Sequence, residues 1–310
     1  MATFLYLIFL TMISTYVVLA SIEAGIAVTM LFPKLSNNPS ASKSMYTPVW
    51  EITNVFLVFA TIILTVIFNN VLHYFSQIAF VPLFFAGGGL LLRAIIGMYI
   101  FYSHNKAGLW AKVLLVISSY LVPLSIAVIG IDFFTGKSVW STSSGLILLL
   151  AAILGIKVIG LAFSNRHKLA IKPGLKYLLY LLFGLWAIDL GFMLPYSLVS
   201  FDNTLLRTGL TILIVVIAIS TTSFFLYSAA KNKIHELYQY VILIGFMTPI
   251  LLGLDLMPYL INNTITIKQA YGAAAYQSSM LVGVIICLPI MAVGFYILAK
   301  LMLDQKTLNS

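Results

Sequence analysis

The sequence predicts an all-α polytopic membrane protein that forms a single membrane domain over residues 1–310. Of its residues 62% are hydrophobic and only 8% are charged, and the mean hydropathy is +1.08. Soluble domains have about 25% charged and about 45–50% apolar residues, so the difference is too large for an ordinary globular core. These values exclude a disordered chain, a disulfide-rich secreted scaffold and a nucleic-acid-binding module.

Nine apolar segments are long enough to cross a bilayer, which requires about 20 helical residues at a rise of about 1.5 Å each. The nine predicted transmembrane helices lie near residues 4–32, 50–75, 77–102, 109–133, 140–163, 175–199, 206–229, 237–261 and 277–303. Prolines inside several of them are compatible with a membrane helix, because neighbouring helices can satisfy the freed carbonyls. The connections are short, so no segment is left for a soluble domain.

The distribution of basic residues predicts the orientation in the membrane. With nine spans the termini lie on opposite sides, and loops on the N-terminal side hold three Lys or Arg against twelve on the other side. Cytoplasmic loops carry the excess of basic residues. We therefore predict an N-terminus outside the cell membrane and a cytoplasmic C-terminus, and the net charge of +9 requires no anionic polymer as partner.

Charged residues inside the predicted spans are functional candidates, because each costs about 3 kcal/mol or more in a bilayer. They differ in depth: Glu23, Glu51 and Arg93 fall in the cytoplasmic half, Asp189 near the midplane and Asp255 in the outer half. Two interpretations of Arg93 stay open. It forms an ion pair with Glu51 or Glu23 that only stabilises the fold, or it has a functional role.

The second span carries a polar stripe. Its members recur at spacings of three, four or seven residues and fall within an arc of about 120° at 100° per residue. They are Glu51, Asn54, Thr61, Thr65, Asn69 and His73. Hydrocarbon cannot satisfy such a stripe, so it faces protein or water. Two explanations stay open, namely a hydrated proton path entered from the cytoplasm at Glu51 and a seam of interhelical hydrogen bonds.

The sequence predicts no catalytic residue, no metal site and no cofactor-binding residue in this chain. A single cysteine, Cys287, excludes an internal disulfide and an iron–sulfur site, and the four His are scattered without H-x-x-x-H spacing. His73 lies at the outer membrane edge, within reach of a haem iron. Because no His or Met partner stands at a matching depth, we interpret it as an interfacial residue.

The stretch Thr47–Phe56, Thr-Pro-Val-Trp-Glu-Ile-Thr-Asn-Val-Phe, resembles a motif of subunit II of cytochrome bd-type quinol oxidases. That family has Gly-Pro-Val-Trp-Asp-Gly-Asn-Glu-Val-Trp at the start of its second span. Glu23-Ala24-Gly25 is similar to the family's acidic element in the first span, and Leu91-Leu92-Arg93-Ala94 to the Leu-Arg-Gly element of its third. This chain has Asn54 where the family has Glu, and it is identified as a divergent member.

The resemblance implies nine helices arranged as two four-helix bundles plus one peripheral helix. It implies a non-haem subunit that supports the haem-bearing subunit I of a membrane quinol:oxygen oxidoreductase. Haem b and haem d would lie in that partner, quinol would be the substrate of the complex, and membrane lipids would surround both subunits. Some members hold a structural quinone in subunit II, and the sequence leaves this open.

The resemblance and the polar stripe together predict a proton-uptake path from the cytoplasm. Its predicted members are Glu51, Glu23, Asn54, Thr61, Thr65 and Arg93. Glu51 matches the family's acidic proton-channel residue and is the predicted entry, with Glu23 as the second relay. The amide and hydroxyl groups would hold waters, and the arginine would tune or clamp one of the carboxylates.

Phe56 matches a Trp that is associated with oxygen access in some members, so it is a candidate for an oxygen route. Two other classes of function stay open. One is a self-contained proton-coupled transporter that uses Asp189, Asp255 and the two glutamates of the cytoplasmic half as substrate and proton sites. The other is a structural subunit of a different respiratory complex, in which the polar residues only join helices. A haem-bearing partner would separate the oxidase from the transporter.

Overall fold

The computed structural model describes residues 2–33, 39–103, 107–164, 234–262 and 264–272, together with twelve scattered positions between 216 and 296. Within this part, six helices are long and apolar enough to cross a membrane. The helical membrane class predicted from composition is therefore confirmed. The predicted span 175–199 with Asp189 lies outside the described residues, and so do 206–229 and 277–303 apart from the scattered positions.

Helix α1 (Ala2–Leu31) is the central element of the described bundle. It is apolar on all sides, and a helix of this kind is stable when it is surrounded by protein. Helices α2 (Pro39–Ile62), α5 (Leu109–Thr135), α6 (Ser143–Ser164) and α7 (Ile234–Leu256) all pack against it. Buried residues consequently follow one another along its second half without a solvent-facing or lipid-facing side.

The contact between α1 and α6 depends on two glycines. A Cβ atom placed on Gly25 would collide with the backbone of Gly160, and a Cβ on Gly160 would collide with Ser21 O and the backbone of Gly25. Small residues let membrane helices approach until their backbones touch. This crossing fixes the position of α1 two residues from Glu23.

The second predicted span, 50–75, differs in the structure at both ends. Helix α2 begins at Pro39, and Pro is well suited to the first turn because its missing N–H is not needed there. The regular helix ends at Ile62, and a π-helical turn, Ile63–Ile67, follows it. A short 3₁₀ turn, Asn69–Val71, and helix α3 (Leu72–Ile78) complete the segment. Asn69 and His73 therefore lie beyond a break, and the predicted stripe is not continuous along one helix.

Helix α4 (Phe80–Tyr102) packs mainly against α5. The predicted spans 77–102 and 109–133 agree with α4 and α5 within three residues. Helix α5 ends at Thr135 because Gly136 takes a left-handed conformation, with φ of 64°, which residues with a side chain rarely adopt. Helix α6 begins three residues later than the predicted 140, since Val139–Ser141 forms a separate 3₁₀ turn.

The predicted span 237–261 continues too far at its C-terminal end. Pro258 cannot donate a backbone hydrogen bond, and α7 ends at Leu256. The chain then forms a hairpin of β1 (Tyr259–Ile261) and β2 (Ile265–Thr266), followed by one turn of helix, α8 (Ile267–Ala270). This strand pair was not predicted from the sequence.

Residues 257–262 and 264–272, which we call the hairpin cap, close one end of the bundle. The Asn262 N–H donates to Phe133 O of α5 (2.9 Å), and the Gly272 N–H donates to Ile67 O (2.9 Å) where α2 has broken. The amide of Asn70 donates to Gln269 O (2.9 Å). The cap thus satisfies carbonyls at the ends of α2 and α5, and these ends lie on the same side of the bundle as the start of α1.

A buried charged cluster as the candidate functional site

An ion pair joins α1 and α4 in the interior. Arg93 Nη1 lies 3.0 Å from Glu23 Oε2, and both side chains are 0% exposed. Glu23 lies eight residues before the end of α1 and Arg93 nine residues before the end of α4. Both are therefore about 12–14 Å along the helix from the same end of the bundle, at a rise of about 1.5 Å per residue.

Two side chains of α2 complete the cluster. Arg93 Nη2 donates to Asn54 Oδ1 (2.7 Å), and the Tyr46 hydroxyl donates to Glu23 Oε1 (3.1 Å). Both carboxylate oxygens and both terminal nitrogens of the guanidinium are thus bonded. Hydrogen bonds of this kind are what a buried ion pair needs to offset its desolvation. We refer to Glu23, Arg93, Asn54 and Tyr46 as the charged cluster.

The cluster lies where two apolar regions of the bundle meet. One contains Leu19 of α1 and Phe56 of α2, and the other contains Ile26 of α1 and Val49 of α2. The polar groups of three helices are therefore enclosed by residues of both hydrophobic cores.

Sequence reasoning missed Tyr46 because the predicted second span began at residue 50. The signal was present in the spacing. Tyr46 precedes Val49, Thr53 and Asn54 by three, seven and eight residues, which places all four on one helical face, and the first three of them are buried. Continuing the period towards the N-terminus would have brought the tyrosine into the helix.

Further buried polar groups lie beside the cluster. Tyr16, seven residues before Glu23 on α1, is 0% exposed and lies close enough to Arg93 and Glu23 for an electrostatic interaction with both. In the described part of the chain, neither its hydroxyl nor Arg93 Nε has a hydrogen-bond partner. Ser119 Oγ on α5 lies beside the Tyr46 phenol, without hydrogen-bond geometry to it.

The predicted site residues separate into two sets. Glu23, Asn54 and Arg93 come together, and the carboxylate that pairs with Arg93 is Glu23. Glu51 lies one turn before Asn54 on α2 and is exposed in this chain. Phe56 is buried in the apolar core next to the cluster.

Thr61 and Thr65 do not join the cluster. The Thr61 hydroxyl donates to Leu57 O (2.8 Å) and the Thr65 hydroxyl to Thr61 O (2.8 Å), so both bond to the backbone of their own helix. Their predicted role as water ligands on a proton path stays a prediction.

The other candidates lie away from this site. His73 is exposed, and its Nε2 lies 3.2 Å from the side-chain nitrogen of Gln77. Asp132, which the sequence analysis did not single out, is buried at the end of α5 and accepts the Val139 N–H (2.6 Å). Across the residues that the structure describes, no three His, Cys, Asp or Glu come together as metal ligands.

A protein-family model described as cytochrome bd terminal oxidase subunit II matches residues 1–302. The chain belongs to this family. The resemblance seen in the motifs around Glu23, Glu51 and Arg93 is thereby confirmed and extends over nearly the whole chain.

The fold agrees with this family assignment. In the solved structure of the bd oxidase from Geobacillus thermodenitrificans, one chain is similar with a TM-score of 0.71 and 19% sequence identity. The alignment covers 96% of this chain and 98% of that chain. At such low identity the likeness shows the fold alone. No curated protein sequence matches the chain.

Membership of the cytochrome bd subunit II family implies a terminal oxidase complex of the respiratory chain with at least one further subunit. The apolar helices and the family together identify a multi-pass membrane protein.

Proposed function

We propose that this chain is the haem-free subunit II of a quinol:oxygen oxidoreductase, that it supports the haem-bearing subunit I, and that it lines a proton-uptake path from the cytoplasm. The family match supports the assignment to subunit II and gives no support to a self-contained transporter. The charged cluster supports the proposed proton-uptake path, because it holds a carboxylate and a guanidinium in the membrane interior.

The chemistry of oxygen reduction gives this path a purpose. Reduction of O₂ to water consumes protons, so a terminal oxidase needs a route that brings them into the membrane. Glu51 is exposed and lies three residues before Asn54, on adjacent turns of α2. In the proposed path Glu51 takes up the proton, Glu23 is the second carboxylate, and Asn54 and Arg93 hold Glu23 in place.

The orientation rests on the basic residues. The connections after α1 and after α4 lie on the side that the excess of Lys and Arg assigns to the cytoplasm. The N-terminus would then be outside and the C-terminus cytoplasmic. The charged cluster would lie in the cytoplasmic half, about 12–14 Å along the helices from their cytoplasmic ends.

Haem b and haem d are assigned to the partner subunit in this proposal. His73, the candidate haem ligand that the sequence offered, is exposed and contacts Gln77 and Tyr74, and the proposal gives it no haem. No step of the proposed path therefore passes through a haem in this chain. Quinol is the proposed substrate of the whole complex, with lipids around it.

Purification tests the assignment to an oxidase. We expect affinity purification in mild detergent to yield a stoichiometric partner, with b- and d-type bands in the reduced-minus-oxidised spectrum. A haem-free chain that purifies alone would contradict the proposal and would favour a transporter.

A substitution tests the path. Glu51→Gln removes the titrating group but keeps the shape, so oxygen consumption by the complex should fall several-fold while haem content stays unchanged. Glu51→Asp keeps a carboxylate and should retain most of the turnover. Wild-type turnover in Glu51→Gln would remove this residue from the path.

A further inference from the structure

Among the residues that the structure describes, two buried polar atoms next to the ion pair have no hydrogen-bond partner. The guanidinium of Arg93 uses Nη1 for Glu23 and Nη2 for Asn54, but its Nε has no hydrogen-bond acceptor in the described part of the chain. The hydroxyl of Tyr16, on a fully buried side chain, is also without a partner there. Tyr16 and Glu23 are seven residues apart and so lie on the same face of α1.

Such groups are unfavourable when they are dry. A buried donor or acceptor without a partner costs about 1–3 kcal/mol, and more when the group is charged. Internal water commonly satisfies polar groups that the protein leaves over. One water molecule can accept from the Arg93 Nε–H and donate to the Tyr16 oxygen, and it would then satisfy both groups.

The local charge favours a neutral ligand over an ion. Glu23 and Arg93 neutralise each other at 3.0 Å, so no net charge remains to attract an anion or a cation. The Tyr16 phenol is within electrostatic range of both charges, so the place is polar although apolar residues surround it.

We infer that an internal water binds between Tyr16 Oη and Arg93 Nε, and that Tyr16 is a positioning residue of the proton path beyond Glu23. This inference rests on the proposed function. Tyr16 lies about 10 Å further along α1 from the cytoplasmic end, at about 1.5 Å per residue. In one transfer the O–H bond of the Glu23 carboxyl breaks as an O–H bond forms on this water, the water passes one of its own protons to the Tyr16 oxygen, and the phenol releases its original proton towards the oxygen that the complex reduces, so the water and the phenol are unchanged.

Tyr6 provides a matched control on the same helix. It is also buried, but its hydroxyl donates to Gly253 O (2.9 Å) and needs no water. Radiolytic labelling with ¹⁸O-water, read by mass spectrometry on the intact complex, marks buried side chains that contact internal water. We expect Tyr16 to be labelled several-fold faster than Tyr6. Equal, slow labelling of both would overturn the water site.

Removal of each hydroxyl separates a role in proton transfer from a structural role. Tyr16→Phe should lower the kcat of oxygen consumption several-fold, with unchanged KM for quinol and unchanged haem bands. Tyr6→Phe should keep wild-type kcat and lower the unfolding midpoint, since it loses a hydrogen bond.

The outcomes distinguish this inference from the proposed function. Wild-type kcat in Tyr16→Phe together with reduced kcat in Glu51→Gln would overturn the role of Tyr16 and leave the path intact. Wild-type kcat in both variants would overturn the path itself and with it the role of Tyr16, whether or not Tyr16 is labelled.

Discussion

The segment formed by α2 and the turns that follow it up to Asn70 has two halves, which carry similar polar residues but use them differently. In the first half, Tyr46 and Asn54 reach across to α1 and α4 and bond to an ion pair. In the second half, Thr61 and Thr65 donate to their own backbone, and Asn70 bonds to the hairpin cap. The same spacing in sequence therefore gives an interhelical network in one place and local backbone bonding in the other.

Neighbouring groups explain this difference. The charged residue of α4, Arg93, lies at the depth of the first half. The amide and phenol groups at that depth bond to Arg93 or to its partner Glu23. The second half meets apolar residues of α1 and the end of the helix, where a π-turn leaves carbonyls to be satisfied. Segments of π-helix often lie at functional sites, but here the cap satisfies the freed carbonyl.

The largest effect should come from separating the ion pair. Arg93→Met leaves Glu23 buried without its counter-ion, and breaking a buried pair costs about 3–5 kcal/mol. We expect a large decrease in the thermal unfolding midpoint of the detergent-solubilised complex. Glu23→Leu combined with Arg93→Met should recover most of it, because the two charges are removed together.

Lys157→Met is the matched control for Arg93→Met, since it removes a cation that is exposed on α6. Its unfolding midpoint should stay near that of the wild type. If Arg93→Met lowers the unfolding midpoint no more than Lys157→Met does, the ion pair to which the first half of α2 bonds does not stabilise the fold.

The comparison becomes sharper with one substitution in each half of α2. Asn54→Leu leaves a charged donor of Arg93 without its acceptor and should cost about 1.5–3 kcal/mol, the range for hydrogen bonds to charged groups. Thr61→Val loses only a bond to a carbonyl of its own helix, so we expect a change within about 0.5 kcal/mol. Unfolding midpoints and turnover are the measurements. A larger loss of turnover in Thr61→Val than in Asn54→Leu would place the proton path in the second half.

A smaller effect is expected where α1 and α6 cross. In Gly25→Ala the added methyl group meets the backbone of Gly160, and overpacking of this kind costs about 1–3 kcal/mol. Gly87→Ala on α4 is the control, because a Cβ there has no atom within 4 Å. The unfolding midpoint of Gly25→Ala should be lower than that of Gly87→Ala. Equal midpoints would show that the crossing can relax.

The smallest effect concerns His73. We expect His73→Ala to leave the haem spectrum unaltered, because this residue is exposed beyond the break in α2 and contacts Gln77 and Tyr74. The reduced-minus-oxidised spectrum of the complex is the measurement. Loss of a haem band would give α3 a role in cofactor binding.

Much of the described fold was predictable from composition and length. The bounds of α1, α4, α5 and α6 lie within a few residues of the predicted spans, since long apolar segments are unambiguous. Errors arose where a helix left the apolar stretch. The start of α2 is polar and was interpreted as a loop, and Pro258 falls in an apolar run that continues as a strand.

The candidate site was predictable in part. Depth along each helix placed Glu23, Glu51 and Arg93 in the same half, and the structure joins two of them. The sequence left Glu23 and Glu51 as equal partners for Arg93, because both carboxylates lie within reach in depth. Tyr46 and Tyr16 were not predicted at all.

The membrane class and the approximate bounds of α1, α4, α5 and α6 follow from the sequence alone, because they depend on apolar length and a fixed rise per residue. The packing of the helices against one another sets the rest: Arg93 pairs with Glu23, Gly25 meets Gly160, and α2 breaks after Ile62. Spacing gives the face of a helix on which a residue lies. It does not give the neighbour towards which that face is turned, since this depends on the packing of several helices at once.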